Sequence, residues 1–312
     1  MSISNLKQNA RQKLSGGYLK AFLGALVYYI AIYVMSMINM VLFVGGTRLG
    51  IVALVLTEVI NICVAEIILV GYMRSLLEMN NRGEFSDNSK GEFDVNRVMS
   101  GYQQNFKNTV KTLFFRRLYL FGWGFLAGMP CILASGVIAF LSSRPEIAQL
   151  LTQISQFVNS PTDMMIFNIA DFITANCMYV VYIISGAVVL SLILMIPYVI
   201  KTYEYAMIPM ILAENPDIEK DEAFRRTKEI MTGYRFKYFI LQLSFIGLYI
   251  IVSAVAMLIP MVFVSYIAMA AVMPYIQMTC LQFYIERRRT GSFEEVSVYT
   301  ELPENAVDDE TV

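Results

Sequence analysis

The chain contains no histidine among its 312 residues. That absence removes a Ser-His-Asp triad, a His-Glu-x-x-His zinc site and histidine-based phosphatase chemistry. Its long apolar runs contain no aspartate, which removes an intramembrane aspartyl dyad as well. The chain is expected not to be an enzyme, with no catalytic residue and no cofactor. Four cysteines, Cys63, Cys131, Cys177 and Cys280, lack the paired spacing of a metal site and sit in or beside apolar runs, so packing is their expected role and no metal is expected. Tryptophan is confined to Trp123, leaving tyrosine and phenylalanine as the aromatic anchors.

Charge is also missing from long stretches. Residues 21–44, 118–141, 172–200, 238–259 and 261–285 carry none, and 49–73 carries only Glu58, Glu66 and no basic residue. Each run exceeds the roughly 20 residues that cross a bilayer core. With 57% hydrophobic residues, the chain reads as an all-α polytopic membrane protein of six transmembrane helices, not as a water-facing globule. The first run follows a basic segment, as in a signal peptide, but it is too long and lacks a small-x-small cleavage pattern. It is read as an uncleaved span.

What charge there is has a pattern. Twenty-two of the 24 lysines and arginines fall in four segments alternating with the apolar runs, and only Arg48 and Arg144 lie elsewhere. Basic residues flanking spans stay on the cytoplasmic side, so both termini are expected there. The loops 74–117 and 201–237 are then cytoplasmic. The stretch 238–285 would be about 72 Å long as one helix, more than twice the bilayer core, so Pro260 must mark a turn. Gly45, Gly46 and Thr47 predict a second tight hairpin. The expected domain covers 1–290, and the tail 291–312, with seven acids and no base after Arg289, is expected to be a solvated cytoplasmic end.

Several segments read as interfacial helices. Phe106, Val110, Leu113 and Phe114 recur at helical spacing against Lys107 and Lys111, predicting an amphipathic approach to the third span. In the outer insertion 142–171, Ile147, Leu150, Leu151, Ile154, Phe157 and Val158 share a face opposite Gln149, Gln153 and Gln156. Ser160, Pro161 and Asp163 then give the cap, proline and acid of a new helix start. In the second cytoplasmic loop Phe224, Thr227, Ile230 and Met231 make one weakly apolar face, which Gly233 could terminate.

A short motif recurs before each odd-numbered span: Leu14-Ser15-Gly16-Gly17-Tyr18, Met99-Ser100-Gly101-Tyr102 and Met231-Thr232-Gly233-Tyr234. A glycine there, at Gly17, Gly101 and Gly233, can take the positive φ that ends a helix, while the tyrosine sits at the headgroup level. Three parallel helical hairpins follow as the plan. The last two hairpins also end alike, Pro197-Tyr198-Val199-Ile200-Lys201-Thr202 against Pro274-Tyr275-Ile276-Gln277-Met278-Thr279.

These motifs, together with Tyr203-Glu204-Tyr205-Ala206-Met207, Ile211-Leu212-Ala213-Glu214-Asn215-Pro216, Leu243-Ser244-Phe245-Ile246-Gly247 and Phe283-Tyr284, resemble the bacterial membrane proteins known as domain of unknown function 975. Two features depart from that pattern: Leu248 replaces a tryptophan, and the outer insertion is longer than in compact members. The resemblance implies an integral plasma-membrane protein and brings no functional residues with it.

The candidate site lies in the second span. On an α-helical wheel Asn61 falls about 60° to one side of Glu58 and Glu66 about 80° to the other, so the three share a side, with Asn39 of the first span as a further polar neighbour. An acid near mid-helix costs about 2.5–3.5 kcal/mol, and the fourteen Leu, Ile and Val residues return about 0.3–0.6 kcal/mol each. The helix is marginal alone, and its acids need protein or water around them. No lysine or arginine is expected at their depth. Two readings follow: a scaffold or accessory protein of envelope or transport processes, whose carboxyls only lock the bundle, or a small proton- or cation-linked transporter or channel. The partners expected are the lipid bilayer and a protein at the cytoplasmic loops or acidic tail, with no nucleic acid. Arg287, Arg288 and Arg289 read as a topological stop that could also meet anionic lipid. The sequence names no small-molecule or ion ligand.

Overall fold

The computed structural model describes residues 2–44, 57, 59–81, 93–102, 105–159, 161, 163–258 and 262–290. Glu58, the turns expected at Gly45–Thr47 and Pro260, and the acidic tail lie outside the described residues. Every regular element among the described residues is helical, and six helices are long and apolar enough to cross a membrane. The elements are α1 (Ile3–Leu14), α2 (Tyr18–Val44), α3 (Val59–Asn80), a 3₁₀ helix (Asn96–Tyr102), α4 (Phe106–Leu141), α5 (Pro145–Asn159), α6 (Asp163–Asn176), α7 (Met178–Glu204), α8 (Ile208–Glu214), α9 (Lys220–Met231), α10 (Arg235–Leu243), α11 (Ile246–Leu258) and α12 (Val262–Thr290).

Three of these elements differ from what periodicity alone predicts. The approach to the third span is not a separate segment, because α4 runs unbroken for 36 residues. At 1.5 Å per residue it is about 54 Å long, so its first turns, with Lys107, Lys111, Arg116 and Arg117, can stand clear of a hydrocarbon core about 30 Å thick. The helix starting at Asp163 ends at Asn176, and Cys177 separates it from α7. Within α3, Ile62–Glu66 is a π helix. A π segment bonds i to i+5, so the α-helical wheel angles that grouped Asn61 with Glu66 do not hold across it.

The repeated motif resolves into a shared turn. Ser15 (φ −61, ψ 124) and Thr232 (φ −63, ψ 126) are each followed by a glycine of positive φ, Gly16 at 85° and Gly233 at 76°. These are type II turns, closed by Gly17 N–H to Leu14 O and Tyr234 N–H to Met231 O, both 3.1 Å. The left-handed glycine of the first copy is thus Gly16, not Gly17. Before each turn lies a 12-residue helix burying equivalent positions: Leu6, Ala10 and Leu14 in α1, and Ala223, Thr227 and Met231 in α9. The middle copy departs, because Met99-Ser100-Gly101-Tyr102 ends a 3₁₀ helix and the left-handed residue is Asn105.

Each leading segment packs against the closing helix of the hairpin before it, in cyclic order. Helix α1 lies on α12, the 3₁₀ helix on α3, and α9 on α7 and α8. The motif tyrosines reinforce two of these contacts, Tyr18 donating to Ala271 O and Tyr102 to Val64 O at 3.2 Å. The main core forms where these leaders meet the ends of α3, α7 and α12, around Tyr72, Phe93, Met207, Phe245 and Phe283. This is the charged end of the bundle. Away from it, Phe121, Leu133 and Phe140 of α4, Leu192 and Ile196 of α7, and Met257 and Leu258 of α11 are exposed, as faces turned to lipid would be. Helix α5 buries Ile147 and Leu150 against Cys177 and Val180 and leaves Leu151, Ile154 and Val158 exposed.

Candidate functional site

Glu66 closes the π segment of α3, next to α4. Arg116 Nη1 donates to its Oε2 at 2.9 Å, and Arg117 Nη1 stands 3.7 Å from Oε1. The expectation of an acid without a basic partner therefore fails at Glu66. The reason is the contact between the two helices, which sets Arg116 and Arg117 of α4 beside the π segment that Glu66 closes. Both members of the closer pair are largely withdrawn from solvent, at 18% and 19% side-chain exposure. Asn61 and Asn39 are half-buried and take no part in these ion pairs. Glu58 lies outside the described residues.

The denser polar chemistry lies at the charged end, where sequence reasoning saw mainly topological charge. Glu204, with its side chain 3% exposed, accepts from Lys201 Nζ at 3.0 and 3.1 Å and stands 3.0 Å from Arg235 Nη2, while its carbonyl accepts from Thr227 at 2.8 Å. Glu204 so ties the end of α7 to the start of α10 through its carboxylate and to the middle of α9 through its carbonyl. Arg288 and Tyr284 of α12 both engage Glu214 at the end of α8. Arg287 Nε donates to Ile230 O at 3.2 Å, and its guanidinium stacks 3.6 Å above the Tyr234 ring. Arg287 and Arg288 therefore bind back onto the protein.

Arg74 is the buried cation of this region, 8% exposed. Its Nε donates to Ala213 O at 3.1 Å, in the last turn of α8, and its Nη1 to Ser100 Oγ at 3.0 Å. It lines a cavity of about 490 Å³ together with Leu77, Asn81 and Ser100 and the carboxylates Glu78 and Glu214. Arg74 directly follows the apolar run 67–73, a signal that a charge-counting reading assigns only to topology. The four cysteines are free thiols, Cys177 and Cys280 buried and Cys131 exposed. Burial, with Glu146 nearby, pushes the Cys177 thiol up from its ordinary value.

The family described as Protein of unknown function (DUF975) matches residues 1–289. The chain belongs to that family. No curated protein and no solved structure matches it. The DUF975 match takes in α1 to α11 and all of α12 but its last residue, so the cyclic arrangement of leaders, the Glu66 pair and the Arg74 cavity all fall within the family region. Membership brings no activity with it, and the functional reading rests on the geometry.

Proposed function

We propose that this DUF975 protein is a non-enzymatic scaffold or accessory protein of envelope or transport processes, seated in the plasma membrane of a bacterium with both termini cytoplasmic. The Glu66–Arg116 pair carries the reading. An acid already neutralised from a neighbouring helix locks two spans together and is poorly suited to picking up and releasing a proton or cation. Support also comes from the charged end, where ion pairs at Glu204 and Glu214 and a continuous apolar core make a cohesive platform for a protein partner. The orientation is supported by the sequence, in which 22 of the 24 basic residues fall in the four segments assigned to the cytoplasmic side.

Purification of the tagged full-length chain in native lipid tests the function, with a membrane protein of the envelope or of a transport system expected in stoichiometric amount. Proton or cation flux in proteoliposomes that Glu66→Gln abolishes without loss of folded protein would instead establish the transporter. Single cysteines at Ser143 and Ser89, in a background without the native four, test the orientation. An impermeant thiol reagent added to intact cells is expected to label Ser143→Cys and spare Ser89→Cys, and the opposite pattern inverts the topology.

A further inference from the structure

The closing helices of the three hairpins share a register that singles out Arg74. Thr202 Oγ1 donates to Tyr198 O at 2.9 Å and Thr279 Oγ1 to Tyr275 O at 2.7 Å, and Ser75 Oγ stands 3.3 Å from Gly71 O with Asp94 O as its nearer acceptor at 3.0 Å, so each hydroxyl faces the carbonyl four residues back. In that register Arg74 and Lys201 are equivalent, each standing one residue before the hydroxyl. Three residues beyond Lys201 lies Glu204, whose carboxylate takes up its charge. Three residues beyond Arg74 lies Leu77, and the cavity opens there.

No carboxylate among the described residues forms an ion pair with Arg74. Among the described residues its hydrogen-bond partners are two neutral oxygens, Ala213 O and Ser100 Oγ. The two carboxylates lining the cavity are already paired, Glu78 with Arg97, which also lines it and which Asp94 approaches at 3.7 Å, and Glu214 with Arg288. A buried guanidinium without a contacting carboxylate is costly, and an oxyanion brought to it recovers that cost through charge-assisted bonds.

We propose that Arg74 binds the phosphate group of a phosphorylated small molecule or lipid headgroup in this cavity. Besides Arg97, three donors are available there. Arg74 keeps Nη2 beyond the two bonds it makes, Ser100 accepts from Arg74 and so keeps its own proton to donate, and Asn81, whose Oδ1 accepts from Asn80 at 3.3 Å, keeps its amide N–H groups. Donors on α3, on the 3₁₀ helix and just past the end of α3 suit a tetrahedral group with several oxygens. A volume of about 490 Å³ exceeds a bare phosphate, leaving room for what the phosphate is attached to. The inference concerns a ligand site at the charged end and stands apart from the scaffold reading, since it needs no partner protein.

The test uses the full-length chain in phosphatidylcholine nanodiscs, with the unfolding midpoint followed as glycerol 3-phosphate or inorganic phosphate replaces chloride at constant ionic strength. A parallel series replaces part of the phosphatidylcholine with phosphatidylglycerol. A saturable rise with the soluble phosphates identifies a metabolite site, and a rise only with phosphatidylglycerol identifies a headgroup site. Arg74→Lys, which loses the planar fork, is expected to weaken the response on the order of tenfold. Leu77→Glu supplies from within the chain the carboxylate that Glu204 gives Lys201, and is expected to fold and to abolish the response. Leu77→Gln, of similar shape without the charge, is expected to retain it. Absence of a saturable response to any of these probes, its persistence in folded Leu77→Glu, or its equal loss in Leu77→Gln overturns the proposal.

Discussion

Arg116 and Glu66 join the second and third spans through a 2.9 Å ion pair at the end of a π segment. Glu66→Ala strands a largely buried guanidinium, whose Nε already lacks a hydrogen-bond partner among the described residues. Breaking a buried pair from one side costs about 3–5 kcal/mol, and the partial exposure here points to the lower end of that range. Denaturant unfolding in nanodiscs should show that loss, with Arg116→Met in the Glu66→Ala background recovering part of it. A double variant no more stable than Glu66→Ala would mean that the pair does not clamp the helices.

Glu204 offers a sharper case, since two cations from two elements meet one buried carboxylate. Glu204→Ala is expected to cost about 3–5 kcal/mol and to loosen the start of α10 as well as the end of α7. Hydrogen exchange should rise at both places. A rise confined to α7 would assign the stabilisation to Lys201 alone.

The glycines divide into two mechanisms. A Cβ at Gly71 would lie 2.0 Å from Val98 O, a backbone atom that cannot rotate away, whereas one at Gly233 meets open space and is opposed only by its φ of 76°. Gly233→Ala is expected to cost about 1–2 kcal/mol from the left-handed conformation. Gly71→Ala is expected to cost more, because α3 and the 3₁₀ helix must separate. Melting temperatures in the same lipid should rank them so, and the reverse order would contradict the close packing of that helix pair.

On α9, Arg225 and Arg226 hydrogen-bond to Glu222 and hold its carboxyl down to about 2, against an ordinary value of 4.5. A depressed carboxyl stabilises the folded state fully above its unfolded value and loses that contribution as pH falls through the folded one. Protection of α9 against hydrogen exchange should hold at neutral pH and decline from about pH 4.5 toward 2. Glu222→Gln should flatten that decline. An unchanged profile in the variant would move the acid sensitivity to another group.

The helical hairpins are legible in the sequence because turn chemistry is local. Ser15-Gly16 and Thr232-Gly233 adopt the same type II geometry in different surroundings, since a hydroxyl residue followed by a left-handed glycine carries its own conformational preference. Ser100-Gly101 has the same letters but not the turn, because Gly101 is pressed against Ile67, where a Cβ would meet the carbonyl oxygen at 2.7 Å. There the packing against α3 overrides the local preference.

The candidate site was legible only by half. Glu66 is conspicuous as an acid in an apolar run, but its partner sits on a helix whose continuity hydropathy does not reveal, and the π segment between Asn61 and Glu66 alters the rotation on which the grouping depended. Arg74 and Glu204 were legible as charge but not as chemistry.

The sequence by itself determined the number of spans and the helical class. Both depend on stretches of apolar residues long enough to cross lipid, a property that sums over neighbours along the chain. Only the tertiary structure decided which charges neutralise one another. Glu66 with Arg116, Glu214 with Arg288, and Arg74 with no contacting carboxylate among the described residues depend on distances of a few ångströms between segments far apart in the chain. Coulomb attraction falls with separation and burial strengthens it, so the same letters mean a solvated charge or a locked pair according to where the fold puts them.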